Sequence, residues 1–198
     1  ASNYTVSNPT TVKAGITQKA LTVSGVLASD KTYDGNTKAS LSGGTLNGLV
    51  GTETLGLSGL SGVFGDQNAG TGKSVIVSGA TLIDGTGLAS NYSVSNATGV
   101  TATIAQKALT VSGVSASNRV YDGTLEATLS GGTLSGLVGA ETLGLSGLSG
   151  VFGDKNVGTG KSVTVSGATL ADGTGLASNY TISNPGALTA DISKATIS

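Results

Sequence analysis

Residues 18–105 recur 88 positions later as residues 106–193, and 22 of the 88 aligned positions differ. A period of this length is too long for one coil of a β-solenoid and short for most enzymes, but it suits one small domain. "QKALTVSGV" at Gln18 returns at Gln106, "LGLSGLSGVFGD" at Leu55 returns at Leu143, and "ASNY" begins at Ala1, Ala89 and Ala177. The sequence therefore divides into residues 1–17, expected to be the final strand or strands of a preceding repeat, two repeat domains at 18–105 and 106–193, and residues 194–198, the start of a next repeat.

Within each unit, short apolar alternations are broken by Gly, Ser, Asn and Asp, the pattern of all-β sandwiches and barrels. Val75 and Val77 share one face of "KSVIVSGATL" and Ile76 the other; the phase restarts after Gly79, as a β-bulge requires. "NGLVGTETLG" at Asn47 is the one stretch compatible with a turn or two of helix. The junction "TATIAQKALTV" at Thr101 holds neither Gly nor Pro. Its apolar residues change from even positions (Val100, Ala102, Ile104) to odd ones (Leu109, Val111), so the chain turns its apolar face over at Gln106 and Lys107 and passes from one core to the next. A packed, extended connector of this kind does not hinge freely. The fold class expected is all-β, as two tandem small β-sandwich or β-grasp-like domains stacked end to end as a rod.

Composition removes much standard chemistry. Cys and His are both absent, so there is no thiolate nucleophile, imidazole base or soft-ligand zinc site. Ten Lys and Arg oppose eleven Asp and Glu, and only 4% of residues are aromatic, which disfavours nucleic acid as a partner. No apolar run approaches the roughly 20 residues of a membrane span, so membrane insertion by this segment is not expected. Absence of Cys fits the cytosol, and equally a large exported chain that must avoid wrong disulfides.

Tyr33-Asp34-Gly35 and Tyr121-Asp122-Gly123 are the most conspicuous shared motif. Asp-Gly is a strong turn dipeptide, and a preceding Tyr can pack its ring on a core edge; the same turn could instead contact a ligand or ion. Each unit repeats four carboxylates, Asp34, Glu53, Asp66 and Asp84 with copies Asp122, Glu141, Asp154 and Asp172. A pair of them could in principle serve glycoside hydrolysis, yet three of the four adjoin Gly, where turn duty suffices; no catalytic residue is assigned and no enzyme is expected. No cofactor is expected either, calcium being the one candidate ion, at "VFGDQNAGTG" with a neighbouring loop. Asn3, Asn91, Asn96 and Asn179 head N-x-S/T sequons, candidate glycosylation sites. Lys19 and Lys107 raise the option of an internal isopeptide bond, although "QKALTV" reads more simply as a domain boundary.

The order "KTYDGNT", "LSGGTL", "LSGLSGVFGDQNAGTGK", "LASNY" and "ATIAQKALTV" resembles the YDG-type repeat of very large bacterial surface adhesins, the filamentous-haemagglutinin-like exoproteins, many exported by two-partner secretion. Both copies match along their whole length. The resemblance implies an extracellular, β-rich stalk module on the bacterial cell surface, with a β-grasp-like layout and no catalytic residues to transfer. The expected role is a monomeric spacer, touching neighbouring repeats of the same chain and projecting an adhesive region for cell adhesion or biofilm formation. The alternative is a module that binds glycan or exopolysaccharide through the loops around Tyr33 and Asp66.

Overall fold

The structure, a computed structural model, describes residues 2–197; Ala1 and Ser198, the outer ends of the leading and trailing segments, lie outside the described residues. The first unit contains β1 (Lys19–Ala28), β2 (Lys31–Thr32), β3 (Lys38–Ala39), β4 (Leu41–Asn47), β5 (Leu55–Ser58), β6 (Ser61–Phe64), β7 (Gly70–Ser78), β8 (Thr81–Asp84), β9 (Tyr92–Ser95) and β10 (Thr101–Ala105). The second repeats them as β11 (Lys107–Ala116), β12 (Arg119–Val120), β13 (Glu126–Ala127), β14 (Leu129–Ser135), β15 (Leu143–Ser146), β16 (Ser149–Phe152), β17 (Gly158–Ser166), β18 (Thr169–Asp172), β19 (Tyr180–Ile182) and β20 (Leu188–Ser193). Among the described residues the helical pieces are two single 3-10 turns, Ala89–Asn91 and Ala177–Asn179. The protein is all-β.

Each unit has a three-stranded sheet, ordered β4-β1-β9 in the first, and a five-stranded sheet, ordered β2-β10-β7-β6-β3; β5 and β8 form a separate ribbon. Between the sheets lies the apolar face of each. Val23 and Val26 of β1 meet Ala39, Phe64, Val75, Val77, Ala102 and Ile104 from the five-stranded sheet, all buried. Long β1 keeps an inward face by reversing phase at Gly25, whose φ of +69° passes burial from Leu21 and Val23 to Val26. Only glycine takes that conformation without strain.

Two local expectations are corrected by the structure. Gly79 does not make a bulge within one strand: β7 ends at Ser78 in the five-stranded sheet, whereas β8 pairs with β5. Gly79, at φ +79°, is the corner between sheets. The bulge lies instead where β7 meets β10, at Ala102 to Ile104. No helix forms after Asn47, because Gly48 and Gly51 take φ of +102° and +56°, outside the helical region; a turn closed by Glu53 N donating to Val50 O (3.1 Å) takes its place. Residues 2–17 and 194–197 contain no strand, with Val12, Ile16 and Ile197 exposed. Their apolar alternation has no sheet to pair with among the described residues, and an unpaired strand is not stable alone.

The junction follows the sequence pattern. Ala102 and Ile104 are buried on β10, Gln106 crosses, and Leu109 is buried on β11. Its consequence differs from the expectation of two separate cores. Leu109 and Tyr180 of the second unit belong to the same buried cluster as Tyr33 and Phe64 of the first, while Phe152, Val163, Ala190 and Ile192 form another. The two units share a packed boundary.

Val75 is 4% exposed and Ile76 is 62% exposed. Val75→Ala is expected to cost about 2 kcal/mol through lost burial and the cavity left behind, while Ile76→Thr, which copies Thr164, is expected to stay within about 0.5 kcal/mol. Urea unfolding of the two variants checks both.

Candidate functional site

The Tyr-Asp-Gly turn is built around a cation. Lys31 Nζ donates to Asp34 Oδ1 (2.7 Å), Asn36 O (2.7 Å) and Asn36 Oδ1 (3.0 Å), and lies 5.6 Å from the centre of the Phe64 ring. Asn36 N closes the turn onto Asp34 Oδ1 (3.1 Å). The second copy substitutes Arg119, which donates to Asp122, to Thr124 Oγ1 (2.7 Å) and O, and to Glu126 O (2.9 Å), its guanidinium 5.0 Å from the Phe152 ring centre. Partial burial would raise the Asp34 pKa, but the Lys31 ammonium and the Asn36 amide outweigh it and hold the carboxyl below its ordinary range. The Thr124 amide and hydroxyl do the same for Asp122, helped by Arg119. Gly35 and Gly123 take φ of +76° and +79°, as an Asp-Gly turn demands.

This turn aims Tyr33 across the junction. Tyr33 N donates to Ala105 O (2.8 Å), next to Gln106, because β2 pairs in parallel with the end of β10. The Tyr33 side chain is 2% exposed, and its ring meets Tyr180 edge to face at 5.3 Å and 78°. Its hydroxyl donates to Glu141 Oε1 (2.5 Å), 108 residues along the chain. Beside it, Asn179 Oδ1 accepts from Ala69 N (2.8 Å) and Asn179 Nδ2 donates to Asn68 Oδ1 (3.1 Å). The first unit's turn and its 66–70 loop thus dock on the second unit's 138–141 and 177–180 segments.

Contacts within the second unit hold the acceptor. Tyr180 OH donates to Glu141 Oε2 (2.5 Å) and accepts from Val138 N (3.0 Å). The loop after β18 packs against Glu141: Asp172 Oδ1 accepts from Ala177 N (2.7 Å), Thr174 Oγ1 accepts from Thr142 N (2.8 Å), and a Cβ on Gly175 would collide with the carboxylate. Gly35 makes a comparable close approach, since a Cβ there would lie 2.9 Å from Val138 Cγ1. Burial, followed by the Glu141 hydrogen bond, pushes the Tyr33 pKa up to about 12, and the same causes raise that of Tyr180.

The second copy of the motif faces outward. Tyr121 is 39% exposed, and Val157, the counterpart of Ala69, is 44% exposed. The two identical motifs therefore differ by whether a repeat is docked upon them.

Other sequence candidates fall elsewhere. Asp66 and Asp154 form the ion pairs with Lys73 (2.7 Å) and Lys161 (2.6 Å), and the amides of Asn68 and Asn156 cap the same carboxylates. Asp84 accepts from Ala89 N (2.7 Å). Among the described residues, no three of His, Cys, Asp and Glu stand close enough to hold a metal ion. Asn3 and Asn91 are exposed, Asn96 Oδ1 accepts from Ala80 N (3.0 Å), and Asn179 is 1% exposed with its amide engaged, leaving no room for a glycan in the docked pair. Lys19 and Lys107 open β1 and β11, opposite Tyr92 and Tyr180 of the neighbouring parallel strands. No helix among the described residues is long and apolar enough to cross a membrane.

Glu141 was not singled out by sequence reasoning as a partner of Tyr33. The available signal was negative: Glu53 and Glu141 are the carboxylates of the repeated set that do not adjoin a glycine, so turn formation leaves them unexplained.

Two all-β repeats in tandem, joined through one residue and docked through a Tyr-Asp-Gly turn, define a module of interlocking repeat domains. The family model of the YDG domain matches residues 17–99 and 105–188, and the chain belongs to that family. The first match stops short of β10 and the second at the first residue of β20, although both strands are hydrogen-bonded members of their five-stranded sheets. No curated protein and no solved structure matches the chain.

A raised tyrosine pKa stabilises docking while the undocked phenol remains neutral. That contribution is complete below pH 10 and is lost between pH 10 and about 12 as the pH rises through the docked value. The difference in stability between wild type and Tyr33→Phe is expected to be constant up to pH 10 and to shrink above it, as read by urea unfolding across that range.

Proposed function

We propose that the chain forms stalk or spacer repeats of a bacterial cell-surface adhesin, outside the cell, with a mechanical and not an enzymatic role: it holds an adhesive region at a distance for cell adhesion or biofilm formation. The observation that carries this reading is the lock at the junction. Gln106 alone separates β10 from β11, its side chain donates to Ser178 O (2.9 Å), and Tyr33 bridges to Glu141 and Tyr180 beside it. A one-residue connector flanked by hydrogen-bonded strands and a buried side-chain contact has few torsions left to bend. Repeats joined in this way transmit position along an array, as nearest-neighbour contacts do in other repeat proteins.

The resemblance to adhesin repeats supports the extracellular setting and export by two-partner secretion. The glycan-binding alternative asks for exposed aromatic rings; Tyr33, at 2% exposure, is taken up by the joint, and Tyr121, at 39%, is the motif ring that stays accessible to it.

Small-angle scattering is expected to fit one extended arrangement of the two units, and Tyr33→Ala to broaden the distribution. A wild-type protein that required a broad, bent ensemble would contradict the proposal.

A further inference from the structure

The outer end of the first unit carries the same acceptor that Tyr33 fills in the second. Tyr92 OH donates to Glu53 Oε2 and accepts from Val50 N (3.1 Å), matching Tyr180, Glu141 and Val138 at a spacing of 88. The loop glycine matches as well, since a Cβ on Gly87 would press on the Glu53 carboxylate as one on Gly175 would on Glu141. Here, however, the place of the incoming tyrosine is a cavity of about 380 Å³ lined by Gln18, Val50, Glu53, Ser90, Asn91 and Tyr92. Among the described residues nothing donates to Glu53 Oε1, and Val50 is 52% exposed.

We propose that this cavity is a docking site for the Tyr-Asp-Gly face of another repeat, and that a second copy of this chain fills it with its Tyr121 end. The assignment rests on continuity with the interface already present between the two units. Tyr121 would donate to Glu53 as Tyr33 does to Glu141; Asn156 and Val157 N would meet Asn91 as Asn68 and Ala69 N meet Asn179. Every group needed is present and exposed at the opposite end: Tyr121 at 39% and Val157 at 44%, with Asn156 exposed. Ile16 and Thr17 also line the cavity; they belong to residues 2–17, which are exposed and without strand structure, and the incoming β20 end would have to displace them.

The contact is heterologous, one face meeting a different one, so it propagates copies head to tail instead of closing a symmetric dimer. Without the covalent connector the effective concentration of a tethered neighbour is absent, and association between free copies belongs at roughly millimolar concentration. The proposal does not depend on the adhesin reading, because docking between purified copies is independent of where the protein resides.

The chain has no Cys, which makes disulfide trapping clean. Gly35 and Val138 approach closely enough for a disulfide, whose Cβ atoms stand about 3.5–4.5 Å apart; their counterparts across the proposed contact are Gly123 and Val50. Val50→Cys and Gly123→Cys, purified separately and mixed in a thiol redox buffer, are expected to form the mixed disulfide in excess of statistical pairing. Tyr121→Ala in the Gly123→Cys chain is expected to abolish the excess. Asn91→Cys with Asn156→Cys repeats the test without a strained glycine position. Independently, sedimentation equilibrium of wild type at about millimolar concentration is expected to show reversible linear association, weakened at least about tenfold in Tyr121→Phe by loss of the hydroxyl bond to a carboxylate. Statistical pairing in both cysteine pairs, or a monomer over the whole concentration range, would overturn the proposal.

Discussion

The Glu141 carboxylate, shared between the hydroxyls of Tyr33 and Tyr180, is the contact on which the arrangement of the two units depends. A carboxylate taken partly out of water must be matched by donors, and hydrogen bonds to a charged group are about twice as strong as those between neutral groups. Two phenols supply them here, one from each unit. Their rings pack edge to face and extend the buried cluster of the first unit into the second. Polar matching and apolar burial thus coincide at one point, and either alone would hold the units less firmly.

Everything near the junction places Tyr33 for that contact. The β2 strand is two residues long, yet its parallel pairing with β10 puts Tyr33 beside the crossing at Gln106. The Asp-Gly turn wraps Lys31, which lies over Phe64, so the turn is braced from the core side. Arg119 repeats the brace in the second copy with more donors. Tyr-Asp-Gly is therefore both a corner and a coupling element: Asp and Gly make the turn, and Tyr makes the joint.

Alternation over short segments revealed the strands, and the 88-residue period revealed the two units, because the first signal is local and the second is a repeat in which 66 of 88 positions are identical. Val75 and Val77 point inward and Ile76 outward as the pattern required, and the reversal of faces at Gln106 is present. Glycine was harder to interpret. Gly79 interrupts an apolar alternation in the same way whether it makes a bulge or a corner, and only pairing partners distinguish the two. The 48–54 segment had apolar spacing compatible with a helical turn, but two glycines of positive φ decided otherwise. The joint itself was not legible, since Tyr33 and Glu141 are 108 residues apart and no period connects a side chain to its partner in the next unit. Residues 2–17 carry the same kind of alternation without strand structure, because alternation describes a face, and a face needs a sheet.

Tyr33 and Glu141 interact energetically across the junction if the joint holds the two units together, and a double-mutant cycle of Tyr33→Phe and Glu141→Gln measures that directly. A coupling energy of about 1 kcal/mol or more is expected in equilibrium unfolding, with the matched pair Tyr121→Phe and Glu53→Gln, whose residues do not meet within one chain, giving none at dilute concentration. Additive effects at Tyr33 and Glu141 would contradict it, and would mean that the two units are merely adjacent.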